Sequence, residues 1–285
     1  MTARGTGNIR SDADGERGPL TASAGGPDYE TIVIEREGSV ATVRINRPDK
    51  LNALNAAVRR EIARAMDRLA DDDAVRVAIL CGAGEKAFVA GADVSEFAGR
   101  TPGEQREVYR RRRVYDAVAA FPKPLIAAIH GFCLGGGVEL ALACDVRVAD
   151  PNARFGQFEI RLGLIPGAGG TQRLARLVGP GQAARIALSG DVVDAAEAHR
   201  IGLVEILADE GGHLERAREL AGRMARWSPF ALGLVKESLR AAAETPLAEG
   251  LALEKELFLA AFASDDGREG VRAFVEKRRP EFRGR

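Results

Sequence analysis

Two glutamates and three glycine-rich segments are the residues of this chain whose types and spacing could do chemistry. In GFCLGGGVELALACD, residues 131–145, three consecutive glycines precede a run that otherwise reads as a buried helix, and one carboxylate, Glu139, sits among apolar neighbours. Glycine costs a helix about 1 kcal/mol relative to alanine, so its presence there asks for a reason. A helix N-terminus offers unpaired N–H groups and about half a positive charge, which suits it to hold an anion or to stabilise one as it forms. FVAGADVSEF and LIPGAGGTQRL share the context of an apolar segment before and a predicted helix after. Glu139 lies three residues beyond Gly136, in the first helical turn, near the same N–H groups. Glu159, in FGQFEIRLG, is a second acid, flanked by Phe155, Phe158 and Ile160. Two carboxyls in partly apolar surroundings can hold different protonation states at neutral pH, one serving as acid and the other as base. The same residues admit plainer readings: close packing of a strand–helix turn for the glycines, and capping or ion pairing for each glutamate.

Other chemistries find less support. The glycines show neither GxGxxG spacing nor a Gly-Lys-Ser/Thr ending, which argues against a phosphate cradle. No GxSxG elbow occurs, and His130, His199 and His213 form no HxxxH or HExxH pattern, which argues against a hydrolase triad or a metal site. His130, at the end of an apolar strand, reads as a core histidine with its polar atoms satisfied. The arginine run at residues 110–113 reads as a solvated helix face, with nucleic-acid or phosphate binding as the alternative. Met66 and Met224 read as core filler.

Composition limits the partners. The 41 Lys+Arg balance 41 Asp+Glu, so no global field favours nucleic acid or an anionic membrane, and an anionic ligand must be held locally. Cys81, Cys133 and Cys144 lie in apolar contexts without CxxC spacing, as reduced core thiols of a cytoplasmic protein would. Charged residues and glycines interrupt every apolar run before the roughly 18 residues of a membrane span. Residues 1–28 carry both charge signs without an apolar period and read as a disordered tail rather than a targeting peptide.

The elements that must position the candidate residues alternate. TIVIERE and SVATVRIN form a predicted hairpin broken at Gly38, and a helix follows, capped by Asn55, with Val58, Ile62, Met66 and Leu69 on one face. VRVAILCG, PLIAAIHG and DVRVAD read as further strands, and Thr101 with Pro102 starts a helix running to about Phe121. The pattern predicts an α/β fold that turns helical from about Gly179, with segments near 180–189, 194–201, 213–227, 230–243, 247–263 and 266–277. The stretch between Glu96 and Val118 is expected to supply pocket walls.

At these residues the sequence resembles the crotonase, or enoyl-CoA hydratase/isomerase, superfamily. The match runs over residues 29–282 through NRPDKLNALN, KAFVAGADVSEF, PLIAAIHGFCLGGGVELALACD, ARFGQFEIRLGLIPGAGGTQRL and FASDDGREGVRAFVEKRRPEF. The resemblance implies a crotonase-like spiral of repeated ββα units at residues 29–205, followed at 206–285 by a helical region for trimerisation. It implies a homo-trimer or a hexamer built as a dimer of trimers, and an acyl-CoA substrate with no metal and no cofactor beyond the coenzyme A that the substrate carries. In the matching positions the N–H groups of Ala92 and Gly136 form an oxyanion hole, Glu139 activates water, Glu159 delivers a proton, and Gly167 is a further backbone donor. Lys50, Leu51, Ala53, Ala90, Gly91, Ala92, Asp93 and Val94 match the adenine and pantetheine path, and Phe274 and Lys277 match residues that reach coenzyme A from a neighbouring subunit. The chain departs at Phe158, where the closest hydratases often carry proline, a change that bears on acyl-pocket shape. The expected activity is hydration of 2-enoyl-CoA as in fatty-acid β-oxidation. The alternatives are an enoyl-CoA isomerase or a hydratase for branched or aromatic acyl chains, and, from another class, a non-catalytic RNA-binding or scaffold protein.

Overall fold

The computed structural model describes residues 29–285; the tail expected at 1–28 lies outside the described residues. β1 (Ile32–Glu37) and β2 (Val40–Ile45) form the predicted antiparallel hairpin, turned at Gly38 with φ +57°. Asn55 caps α1 (Ala56–Asp71) by accepting from Val58 N at 2.9 Å, and Val58, Ile62, Met66 and Leu69 bury the expected face.

From there a unit repeats in which one long strand is followed by one short strand. β3 (Val77–Gly82) leads to β4 (Ala87–Val89) and then to α2 (Pro102–Arg110) and α3 (Val114–Ala119). β5 (Leu125–Ile129) leads to β6 (Phe132–Leu134) and α4 (Gly136–Leu142), and β7 (Val146–Ala149) to β8 (Arg154–Gly156) and α5 (Gly170–Ser189). The long strands join one sheet in the order β1-β2-β3-β5-β7, closed by β10 (Ile206–Leu207), and beyond the hairpin every pairing is parallel. The short strands make a second sheet, β4-β6-β8, edged by β9 (Val193–Asp194), after which α6 (Ala195–Arg200) follows. Each unit thus places one strand in each sheet, and its β–β corner delivers the next segment to the same side of the molecule. The architecture is α/β with a helical C-terminal region: α7 (His213–Met224), α8 (Pro229–Ala242), α9 (Leu247–Ala263) and α10 (Asp265–Val275).

The helix expected from Thr101 to about Phe121 is two helices. Thr101 caps α2 in a reciprocal box with Glu104, but the chain turns extended at Arg111 (ψ 151°), and Asp116 restarts a helix by accepting from Arg113 N at 3.0 Å. Long-range bonds favour the break: Arg112 reaches Asp67 at 2.7 Å and Arg113 reaches Gly167 O at 2.7 Å. The arginine run is therefore split between the end of α2 and the extended link: Arg110, Arg111 and Arg112 are exposed, as a solvated run should be, and Arg113 is half-buried. In α5 the expected start near 180 is its second limb, because Gly179 (φ +80°, ψ 157°) breaks the helix and Pro180 restarts it.

The main core lies where α1, α3 and α4 meet the sheets, with Phe88, Phe121 and Phe155 fully enclosed. The opposite face of the long sheet packs Val77, Ile79, Ile126, Ala128 and Val148 against Ala217 and Ala221 of α7. Buried Lys236 ties α8 to this body through Asp145 at 2.7 Å and Lys123 O at 2.9 Å. Met66 is enclosed and Met224 packs against the α7 cluster, as core filler should. Cys81, Cys133 and Cys144 are buried free thiols, and no described helix is long and apolar enough to cross a membrane.

Two glycine substitutions test this packing with opposite signs. A Cβ on Gly137 of α4 would stand 2.2 Å from Val89 O, whereas one on Gly222 of α7 would meet nothing within 4 Å. Urea denaturation should show Gly137→Ala losing about 1–3 kcal/mol and Gly222→Ala gaining about 0.5–1 kcal/mol. Unchanged stability in Gly137→Ala would contradict the seating of α4 on β4.

Candidate active site

Loop 90–94, the N-terminus of α4, the turn after β8 and the segment before α5 converge on a cavity of about 1280 Å³. Its wall includes Ala90, Ala92, Val94, Gly136, Glu139, Glu159 and Gly167, so the predicted donors and both acids share one space. Tyr109, Val114, Tyr115 and much of the remaining 97–113 stretch complete the wall, as expected of the region between Glu96 and Val118.

The loop that carries Ala92 is pinned from one side. Leu54 N donates to Gly91 O at 2.9 Å and Asp93 N donates to Leu54 O at 3.1 Å. Successive amides of an extended chain point to opposite sides, so the Ala92 N–H is turned away from Leu54, and it takes no acceptor among the described residues. Glu96 holds the far end of the loop by accepting from Ala56 N at 2.6 Å and pairing with Arg59. Asn52, in the left-handed region at φ +55°, bonds Ala83 O and Ala87 O and so fixes the turn that precedes Leu54.

The three glycines before Glu139 have separate reasons. Gly135 has φ +49° and ψ −117°, and a Cβ there would stand 2.8 Å from Glu159 Oε1. A Cβ on Gly136 would lie 2.8 Å from the Tyr115 hydroxyl and 3.4 Å from Ala92 N, and one on Gly137 would strike Val89 O. Together they let the start of α4 approach the Ala92 loop closely, and the Gly136 N–H, at the first helical position, takes no acceptor among the described residues.

The two carboxyls stand in unlike surroundings. Glu139 is 3% exposed, and its Oε1 accepts from Ala168 N at 2.6 Å and Gly170 N at 2.8 Å, at the N-terminus of α5. Burial raises its pKa, and these two amides act against the rise, with Arg113 and Arg173 adding weaker help. Glu159 opens a 3-10 turn, and its Oε2 is buried without a hydrogen-bond partner. Burial first, and the neighbouring Glu139 besides, push it up to about 7. Both carboxyls thus bind a proton more tightly than a free glutamate, Glu139 with two amides opposing the rise and Glu159 with no partner at Oε2.

The remaining candidates distribute unevenly. Gly167 lines the cavity, but its carbonyl is engaged by Arg113, and the amides that hold Glu139 belong to Ala168 and Gly170. Lys50, Leu51, Ala53 and Asp93 flank the pinned loop outside this cavity; Leu51 adopts φ +49° and its carbonyl accepts from Ala90 N at 3.0 Å. Phe274 and Lys277 are exposed at the end of α10 and do not line the cavity of their own chain. Phe158 does line it, under the Arg161 guanidinium at 3.9 Å from its ring centre. His130 is buried as expected, but neither ring nitrogen has a hydrogen-bond partner among the described residues, and its ring lies tilted by 32° against His213 with centroids 4.8 Å apart. Sequence reasoning missed Ala168, Gly170, Arg113 and Tyr115. Only the helix start at LIPGAGGTQRL hinted at the first two.

Comparison with known proteins agrees with this fold. A family model described as enoyl-CoA hydratase/isomerase matches residues 35–285. A crotonyl-CoA hydratase of Syntrophomonas wolfei is 42% identical over 255 residues, 89% of this chain and 98% of the relative. A 2,3-dehydroadipyl-CoA hydratase of Escherichia coli is 42% identical over 254 residues, 89% of this chain and 99% of the relative. The crystal structure of an enoyl-CoA hydratase from Bacillus anthracis superposes with a TM-score of 0.86 at 39% identity, covering 90% of this chain and all of that one. Family model, relatives and fold agree along almost all of the described chain, which belongs to the enoyl-CoA hydratase/isomerase family.

Proposed function

We propose that this enzyme hydrates 2-enoyl-CoA thioesters to (3S)-3-hydroxyacyl-CoA. The observation that carries the reading is the pairing, in one cavity, of two acids of unequal proton affinity with two unengaged amides. Glu139 takes a proton from water as its oxygen bonds to the β-carbon. The C=C electrons move onto the thioester, and the enolate oxygen forms facing the Ala92 and Gly136 N–H groups. Glu159 then protonates the α-carbon, and proton exchange through water resets the pair. Donors aimed at a charge that grows only in the transition state favour that state over the bound substrate. The reaction has no net redox change, and the two amides do the polarising that a Lewis acid would otherwise supply, so the proposal needs no metal or cofactor beyond coenzyme A. Gly167, whose N–H takes no acceptor among the described residues, is assigned as a further backbone donor near the attacking water, and Lys50, Leu51, Ala53 and Asp93 to the path of the thioester and nucleotide. A cytoplasmic place is in keeping with three buried free thiols.

We further assign the assembly, a homo-trimer or a dimer of trimers, to the outer faces of α8, α9 and α10. Leu239, Leu247, Phe258, Phe262, Val271 and Phe274 are each at least 60% exposed there, more apolar surface than an isolated chain in water favours. In that assembly Phe274 and Lys277 would stand beside a neighbour's substrate. Light scattering should give the mass of three or six chains, and Phe262→Asp should shift it toward one; a monomeric parent protein would contradict the assignment.

Purified protein should consume crotonyl-CoA with loss of the conjugated thioester absorbance. Turnover of a 3-enoyl substrate without hydration of any 2-enoyl chain would mark an isomerase instead. Glu139→Gln and Glu159→Gln should each lower hydration by about 100-fold or more while the protein stays folded, since each removes proton transfer at nearly constant volume. Full activity in both would overturn the roles.

The pH profile carries a sign. Hydration needs protonated Glu159, so kcat/KM should fall as pH rises through about 7. The same group acts on stability: its folded pKa of about 7 exceeds the ordinary 4.5, so the folded state binds the proton more tightly and loses stability as pH climbs from 4.5 to 7, with the full loss present above that. Glu159→Gln should therefore melt a few degrees above the parent at pH 8 and nearly with it at pH 5. Equal melting temperatures at both pH values would show that Glu159 is not buried as described.

A further inference from the structure

Tyr115, in the first turn of α3, is 6% exposed and lines the cavity, and its hydroxyl has no hydrogen-bond partner among the described residues. The hydroxyl oxygen is not sealed off from the cavity, so a bound group can reach it. The hydroxyl stands 2.8 Å from the point where a Cβ on Gly136 would sit, and Ala92 N stands 3.4 Å from that same point. One small region of the cavity therefore gathers the Gly136 backbone, the Ala92 amide and an unengaged O–H. Burial and the adjacent carboxylates, Glu139 foremost, raise the phenol far above its ordinary range, so it keeps its proton and can only serve as a neutral donor or acceptor. The position is rigid as well as empty-handed: Asp116 caps the turn that carries Tyr115, and Arg113, just before it, is fixed to Gly167 O.

We propose that the Tyr115 hydroxyl donates a third hydrogen bond to the acyl thioester oxygen, beside the N–H groups of Ala92 and Gly136, and is a catalytic residue of this enzyme. The inference rests on the hydratase reading above. A phenol on a fixed ring adds a donor without adding charge, and its bond strengthens as the carbonyl oxygen becomes an enolate oxygen. It also gives a second reason for glycine at 136, since any side chain there would displace the hydroxyl from the amides.

The test compares Tyr115→Phe with the parent on crotonyl-CoA, and measures binding of acetoacetyl-CoA, whose enolate resembles the charged intermediate, against butyryl-CoA, which has none. The expected result is a kcat lower by about 10- to 100-fold with KM within about twofold, and acetoacetyl-CoA affinity lost by a larger factor than butyryl-CoA affinity. Unchanged kcat overturns the proposal, as does equal weakening of both ligands, which would make the hydroxyl a packing or general binding group. Should Tyr115→Phe not fold, 3-fluorotyrosine at position 115 keeps the hydroxyl: its fluorine resonance should move further with acetoacetyl-CoA than with butyryl-CoA, and equal movement overturns the idea. If the parent hydrates no enoyl-CoA, it is the hydratase reading that fails, whatever Tyr115 does.

Discussion

Helix α4 can lie against β4 because Gly137 has no side chain to hold the two apart; a Cβ would stand 2.2 Å from the Val89 carbonyl. That contact sets the rest of the site. It brings the first turn of α4 beside the Ala92 loop, so two main-chain amides without acceptors face one space. It also turns Glu139, one residue past Val138, toward the start of α5. The second sheet makes this contact: β4, β6 and β8 are only three residues long, yet each sits at the corner from which a site segment departs.

The same closeness dehydrates two carboxyls, and the fold treats them differently. The start of α5 supplies Glu139 with two N–H donors, which offset part of the cost of burying charge. Glu159 receives no partner at Oε2 and responds by holding its proton. Different surroundings for one residue type thus arise from the number of amides aimed at each. As pH climbs from 4.5 to about 7 the folded state gives up stability, because burial without a partner at Oε2 penalises the ionised carboxyl.

Much of the fold was legible because its signals are local. The hairpin at Gly38, the Asn55 cap with its buried stripe, the parallel core strands and the C-terminal helices all follow from period and punctuation. The short strands β4, β6 and β8 did not, since three residues are too few to show alternation. The break after α2 is set by Arg113 reaching Gly167 O, 54 positions along the chain, against a local pattern that reads as continuous helix. The site divides the same way. Glycines and acids announce themselves by type, but the donors to Glu139 lie 29 and 31 residues away, and a backbone amide has no letter in the sequence. His130 shows the limit from another side: its burial followed from its neighbours, while its contact with the His213 ring depended on α7, far downstream in the chain.

The central claim is geometric: the Ala92 and Gly136 amides meet on one oxygen with both carboxyls in reach. A crystal structure of the protein with acetoacetyl-CoA tests it most directly. The account predicts the thioester oxygen about 2.7–3.1 Å from both amide nitrogens, with Glu139 and Glu159 on the β- and α-carbons. A thioester oxygen bonded to neither amide, with the acyl chain outside the cavity that holds the two acids, would contradict it.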